Sequence, residues 1–306
     1  LVRLMSALPA WSERRPLRVL STDAEFHSFT RQMRRLRESD RVTWETVPAE
    51  PFATLPERFE AAARGGTWDL AFASHVFFSS GHAFDEVFDL LAALPAETAC
   101  VVDAYHGFFA LPTDFGPYAD RLYYLGGGYK YAMSGEGASF LVAPNTGEAR
   151  PELTGWFAGF DSLQSTQAER IGYDAGAARF LGATFEPTPL YRFNAVCEEL
   201  ASEGLTIAPL HEHAMALQER FLVHVAGGRT GRLSIGDLVP GRGEVHDARR
   251  GHFLTFRRDD AQALQARYLE ARIITDARED RLRFGFGAYQ RAEDVDRLVE
   301  RLGTLG

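Results

Sequence analysis

Lysine is almost absent from this chain. Of 306 residues 33 are basic, but only one of them, Lys130, is a lysine, and the other 32 are arginine. Arginine supplies generic positive charge, but it cannot replace an amine that must lose its proton and attack a carbonyl. Lys130 is therefore the first residue to question. Cysteine is nearly as scarce. Cys100 and Cys197 exclude a disulfide framework and cannot form a zinc site by themselves, and their rarity points to a reducing, cytoplasmic setting. No apolar run approaches the length of a membrane span, and residues 1–17 lack a long apolar segment before a small-residue cleavage site. Basic residues are also outnumbered, since 42 acidic side chains against 33 basic ones give a net charge of −9. That balance argues against a general nucleic-acid binder. The run Arg31–Arg37 (RQMRRLR) is closely followed by acids and reads as the solvated face of a helix.

What is present is ordinary for a globular protein: 45% hydrophobic and 25% charged residues, enough for one large or two ordinary domains. The spacing predicts an N-terminal helix fragment over Leu1–Leu8, then strands alternating with helices. Strands are expected at Leu17–Leu20, Leu70–Phe78, Ala99–Ala104, Arg121–Leu125 and Ser139–Ala143, with helices at Glu25–Glu38 and Phe84–Leu94. This alternation predicts an α/β fold with a doubly wound, mainly parallel sheet, whose ligands sit at the carboxyl ends of its strands. A stretch rich in glycine, hydroxyl and aromatic residues follows over 152–182. A second unit then has helices at Leu190–Glu203, His211–Val225, Ala261–Glu270 and Ala292–Leu302. Its strands are expected at His252–Phe256, near Ile273 and at Leu282–Phe286, with a Gly and Arg loop over 227–243. The expected division is a large domain over 1–185 and a smaller C-terminal α/β domain over 186–306.

The densest group of reactive side chains runs from Asp103 to Ser139. Asp103 and His106 (VVDAYHG) follow one strand, and Lys130 follows another within GGGYKYAMSGEGAS. A lone lysine at one strand end, beside an aspartate and a histidine at a neighbouring one, suits pyridoxal phosphate. The lysine forms the Schiff base, and the carboxylate keeps the pyridine nitrogen protonated so that the ring can act as an electron sink. Taken singly, each residue has a plainer use. Aspartate commonly caps a strand end, a glycine run is commonly a turn, and GGG does not fit the dinucleotide pattern G-x-G-x-x-G.

The stretch DAYH…ADRLYYLGGGYKYAMSGEGASFLVAP resembles the cofactor region of the class V aminotransferase superfamily, the fold type I pyridoxal-phosphate enzymes. Within that superfamily it is most similar to the kynureninase family. SHVFFSSG (Ser74–Gly81), TGWF (Thr154–Phe157), RFLGAT (Arg179–Thr184) and LRFGFGAYQ (Leu282–Gln290) occur in the same order and spacing. The resemblance implies pyridoxal 5'-phosphate as cofactor, with Lys130 as the Schiff-base lysine and the base at the substrate α-carbon. It implies Asp103 on the pyridine nitrogen, His106 close to the ring and its phenolic oxygen, and Tyr129 at the phosphate. Trp156 and Thr184 match positions that approach the phosphate from a partner subunit, which implies a homodimer with shared sites. Arg283 matches the arginine that grips the α-carboxylate of a small amino-acid substrate. Without the resemblance, Trp156 and Thr184 read as core or turn residues, and Arg283 or its neighbour Arg281 as an edge charge. Glu25 falls loosely where the family has an acid near the cofactor, and His75 and Ser80 are plausible supporting groups. His211 and His213 (HEH) read as surface residues at a helix start.

The sequence departs from the family at three places. A phosphate-cradling loop is expected before Leu1, Ala158-Gly159 stand where kynureninases continue with Gly-His, and Glu136 stands where they tend to have proline. The favoured activity is kynureninase-like hydrolytic cleavage of an α-amino acid. A class V aminotransferase or lyase, and a non-catalytic descendant of the fold, stay open. A cysteine desulfurase needs a mobile nucleophilic thiol, and neither Cys100 in a buried strand nor Cys197 in a helix qualifies.

Overall fold

The structure, a computed structural model, describes residues 1–145, 149–162, 170–242 and 250–305. Residue 243 of the expected Gly and Arg loop and residues 163–169 of the 152–182 stretch lie outside the described residues.

Two short helices, α1 (Val2–Met5) and α2 (Pro9–Ser12), lead into the first sheet. It contains β1 (Leu17–Thr22), β2 (Val42–Val47), β3 (Leu70–Ser74), β4 (Ala99–Asp103), β5 (Tyr123–Gly127) and β6 (Ser139–Val142), in the order β2-β1-β3-β4-β5-β6. Every pairing among β1 to β5 is parallel, and only β6 runs antiparallel, against β5. The connections carry α3 (His27–Arg37), α4 (Leu55–Gly65) and α5 (Val87–Ala92).

The two-residue repeat of the strands sorts the core onto the two faces of this sheet. Leu17, Val19, Leu70, Phe72 and Val101 point to one side, where they meet Leu4, Met5, Phe29 and Met33. Leu20, Ala71, Ala73, Cys100 and Val102 point to the other, against Phe59, Phe84 and Leu91. Both faces are covered, so β3 and β4 read as continuous apolar runs. Edge strand β2 (VTWETV) is buried only at its two ends and has no such run, and its sequence does not stand out as a strand. Helix α4 is likewise absent from the elements that the spacing predicts.

The expected strand Leu70–Phe78 stops at Ser74, although His75–Phe78 remain buried. The chain turns back there: the Phe77 N–H donates to the His82 carbonyl at 3.0 Å and the Gly81 N–H donates to the Phe77 carbonyl at 2.8 Å. Gly81 is required in this turn. Its φ is +77°, and a Cβ would stand 2.8 Å from the Phe253 carbonyl oxygen.

After helices α6 (Thr188–Ser202) and α7 (Ile207–Ala226), a second sheet forms from β7 (Leu238–Val239), β8 (Phe253–Arg257), β9 (Asp276–Arg278) and β10 (Arg281–Gly285). Its order is β7-β8-β10-β9 and every pairing is antiparallel. Helices α8 (Ala261–Glu270) and α9 (Ala292–Leu305) complete this unit. Phe221 of α7, Leu254, Phe256, Leu282 and Phe284 of the sheet, and Val295 and Val299 of α9 share one buried cluster. Among the described residues, no helix is long and apolar enough to cross a membrane.

Candidate active site

The carboxyl ends of the central parallel strands bring reactive groups together from segments far apart in the chain. Strand register sets Ser74, at the end of β3, opposite Asp103, at the end of β4, and Asp103 opposite Leu125 of β5. Lys130 lies in the loop immediately after β5. That loop closes on itself, with the Gly128 N–H donating to the Ala138 carbonyl at 2.7 Å and the Ser134 N–H to the Gly128 carbonyl at 2.9 Å. Gly128 is needed for this closure, because a Cβ there would stand 2.3 Å from Ser134 Oγ.

A cavity of about 620 Å³ opens between the two sheets. His106 and Lys130 line it from the first sheet, and Phe253, Asp276 and Arg283 from the second. Arg283 joins the two directly, its Nη1 donating to the Phe78 carbonyl. Arg281, two residues earlier, instead pairs with Glu50 at 2.9 Å and with Asp280 at 3.2 Å. The edge-charge role thus falls to Arg281, and Arg283 faces the cavity.

The charges are arranged unevenly. Asp103 accepts one hydrogen bond, from the Tyr105 N–H at 3.0 Å, and burial raises its carboxyl to about 6 despite that bond and the nearby Lys130 charge. It is a carboxylate at a strand end with spare acceptor capacity, as a protonated ring nitrogen requires. Burial, and then Arg283, hold the Lys130 ammonium below its usual proton affinity, while Asp103, Glu136 and Asp276 oppose them. The lysine Nζ lies 5.3 Å from the centre of the Tyr129 ring, and the Tyr129 hydroxyl is pushed up to about 12 by burial. His106 sits well below its usual value, first through burial and then through Lys130 and Arg283, so its imidazole is neutral near pH 7. Phe26 and Phe253 approach His106 at 6.4 and 5.9 Å between ring centres, giving the site aromatic walls.

Glu25 lies behind this group and is 2% exposed. Its two carboxyl oxygens each lie 2.5 Å from a hydroxyl, one from Thr22 and one from Ser74. Burial, with a smaller contribution from Asp103, raises its carboxyl to about 8. His75 and Ser80 are engaged elsewhere. His75 Nε2 meets Asp85 at 3.0 Å, and Ser80 Oγ accepts from the His82 N–H. Trp156 is 47% exposed and packs on Phe157 and Phe160, and Thr184 is also exposed. Neither lines the cavity of Lys130 and Arg283.

The reading of His211 and His213 as surface residues at a helix start needs correction. Helix α7 begins earlier, at Ile207, and buries His211. His211 Nδ1 is 3.3 Å from His252 Nε2, and the two rings stack with an interplanar angle of 18°. His213 Nε2 lies 2.8 Å from the Gln290 carbonyl oxygen. The two histidines thus fasten two cavity-lining segments to α7. Among the described residues no three or more His, Cys, Asp or Glu side chains form a group suited to a metal ion.

Phe26, Tyr131, His252, Phe253, Asp276 and Gln290 are site residues that the sequence alone does not single out. Tyr131 adjoins Lys130 and so left a local signal. The others are brought in by tertiary packing.

Solved structures of similar fold are known. A cysteine desulfurase from Thermococcus onnurineus superposes with a TM-score of 0.79 at 16% identity, covering 99% of this chain and 76% of that one. An alanine–glyoxylate aminotransferase from Nostoc sp. gives 0.65 at 16% identity, covering 99% and 78%. The architecture, a mainly parallel α/β sheet with a second antiparallel sheet, is the fold of these solved structures. Sequence comparison narrows the likeness: residues 238–302 match the family model described as the kynureninase C-terminal domain. A kynureninase from Deinococcus radiodurans is 27% identical over 237 residues, which are 76% of this chain and 55% of that protein. The chain thus spans about half the length of the curated relative it matches.

Proposed function

We propose that this chain is a pyridoxal 5'-phosphate-dependent enzyme acting on a small α-amino acid, and that its reaction is kynureninase-like hydrolytic cleavage. The observation that carries this reading is the convergence of the only lysine and Arg283 on one cavity between the sheets, with Asp103 near enough to act on the lysine charge. The orphan acceptor capacity of Asp103, the aromatic walls and the lowered lysine fit the cofactor. A related solved structure, a cystine C–S lyase variant with glycine covalently linked to its pyridoxal-phosphate cofactor, supports it. When bound, the cofactor withdraws electrons from the substrate α-carbon.

The chain's own residues then have separate tasks. Lys130 holds the cofactor and moves a proton at the α-carbon, aided by burial that favours its neutral amine. Asp103 keeps the ring nitrogen protonated. His106 would hold the cofactor ring and Tyr129 its phosphate. Trp156 and Thr184, exposed here, approach the phosphate of a second copy in a homodimer with shared sites. Residues 1–185 form the cofactor domain and 186–306 the smaller domain that brings in Arg283, which grips the α-carboxylate.

Arg283→Lys keeps the charge but loses the planar pair of donors. KM for the amino acid is expected to rise about tenfold, the scale of one lost hydrogen bond to a charged group, with a smaller change in kcat. An unchanged KM would remove Arg283 from the site.

The choice of reaction is tested by incubating the protein with kynurenine. Anthranilate plus alanine is the expected result. Transfer of the amino group to a keto acid without cleavage would replace this reading with an aminotransferase. The desulfurase alternative is disfavoured by its missing nucleophile: Cys100 is fully buried in β4 with its thiol pushed up to about 11, and Cys197 lies within α6.

A further inference from the structure

The hairpin β9–β10 sets Asp276 directly across from Arg283. Their side chains form an ion pair through Arg283 Nη2, while Nη1 is held by the Phe78 carbonyl. The rings of Phe253 and Phe78 flank the guanidinium, with centres 5.4 and 6.0 Å from its Cζ. Arg283 Nε is buried and has no hydrogen-bond partner among the described residues. Both members of the pair line the cavity that contains Lys130, and the same Asp276 oxygen also meets Arg278 Nε at 3.4 Å.

A guanidinium grips a carboxylate best with two parallel N–H groups on one edge. Here Phe78 and Asp276 each hold one terminal nitrogen, so the guanidinium is fixed at both ends. Asp276 also answers a charge problem. Without it, Arg283 would stand uncompensated beside an amine whose neutral and protonated forms both matter. We propose that Asp276 is the positioning residue of the carboxylate site: it holds the Arg283 guanidinium through Nη2 and balances its charge. The inference rests on the reading of this cavity as an amino-acid site.

The groups facing Lys130 are Arg283 and Asp276 from the hairpin, Asp103 and His106 after β4, and Tyr129, Tyr131 and Glu136 in its own loop. Removing only the Asp276 charge therefore leaves Arg283 less balanced and lowers the proton affinity of the lysine.

The test uses the full chain loaded with pyridoxal phosphate and titrates two probes, L-alanine and ethylamine, through the absorbance of the bound cofactor. The ratio of their affinities isolates the contribution of the carboxylate. Asp276→Ala is expected to reduce that ratio about tenfold. Asp276→Asn keeps an acceptor for Nη2 and should lose only about two- to threefold, while the pH at which the cofactor absorbance changes moves down. If Asp276→Ala does not fold, the Asp276→Asn ratio and pH shift carry the test. An unchanged ratio, equal weakening of both probes, or an upward pH shift would overturn the proposal. A protein that takes up no pyridoxal phosphate would instead defeat the underlying reading. If Arg283→Leu abolishes the preference for L-alanine while the Asp276 variants retain it, only this inference fails.

Discussion

Lys130→Arg is expected to leave a folded protein with a positive charge near Asp103 and almost no turnover. Arginine stays protonated at any accessible pH and cannot form the covalent link or carry a proton to and from the substrate. Loss of proton transfer alone costs about 10²- to 10⁴-fold in rate, and loss of the covalent link adds to it. The substitution separates charge from nucleophilicity, because Lys130 is only partly buried and arginine can keep its guanidinium in the same cavity. A variant that keeps near-normal turnover would show that the lysine amine takes no part.

The second large effect concerns stability. Glu25 has a folded-state value of about 8 against an ordinary 4.5, so the folded protein holds a proton there that the unfolded chain releases as pH rises above 4.5. The stabilisation is therefore complete below pH 4.5, declines as pH rises, and is gone above about 8. Each tenfold difference in proton affinity between the two states is worth about 1.4 kcal/mol, so the loss by pH 7 is on the order of 3 kcal/mol. Glu25→Gln keeps one acceptor and one donor for the Thr22 and Ser74 hydroxyls and has no proton to lose. Urea unfolding at pH 5 and pH 8 should show the variant gaining on the parent by that order as pH rises. Parallel pH slopes for the two proteins would contradict the assignment.

The sequence made the class of fold legible because buried parallel strands such as β3 and β4 are unbroken apolar runs. It did not reveal β2, an edge strand buried only at its two ends, nor the turn that ends β3 while His75–Phe78 stay buried. Lys130 stood out by composition, and Asp103 by following a strand. The interior position of His211 was hidden because HEH begins no helix. It lies within α7, and its partner His252 is 41 residues away. Asp276 looked like one acid in a charged stretch, and only the hairpin register sets it against Arg283. Trp156 and Thr184 enter only through family resemblance: within one chain Trp156 is half exposed against neighbouring aromatic rings and Thr184 is exposed.

The most direct measurement is reduction of the purified, pyridoxal-phosphate-treated protein with borohydride, followed by peptide mass analysis. The expected result is a yellow protein whose colour is lost on reduction, with one cofactor mass fixed to the peptide carrying Lys130. A colourless protein, or one in which no cofactor mass attaches to that peptide, would contradict the account.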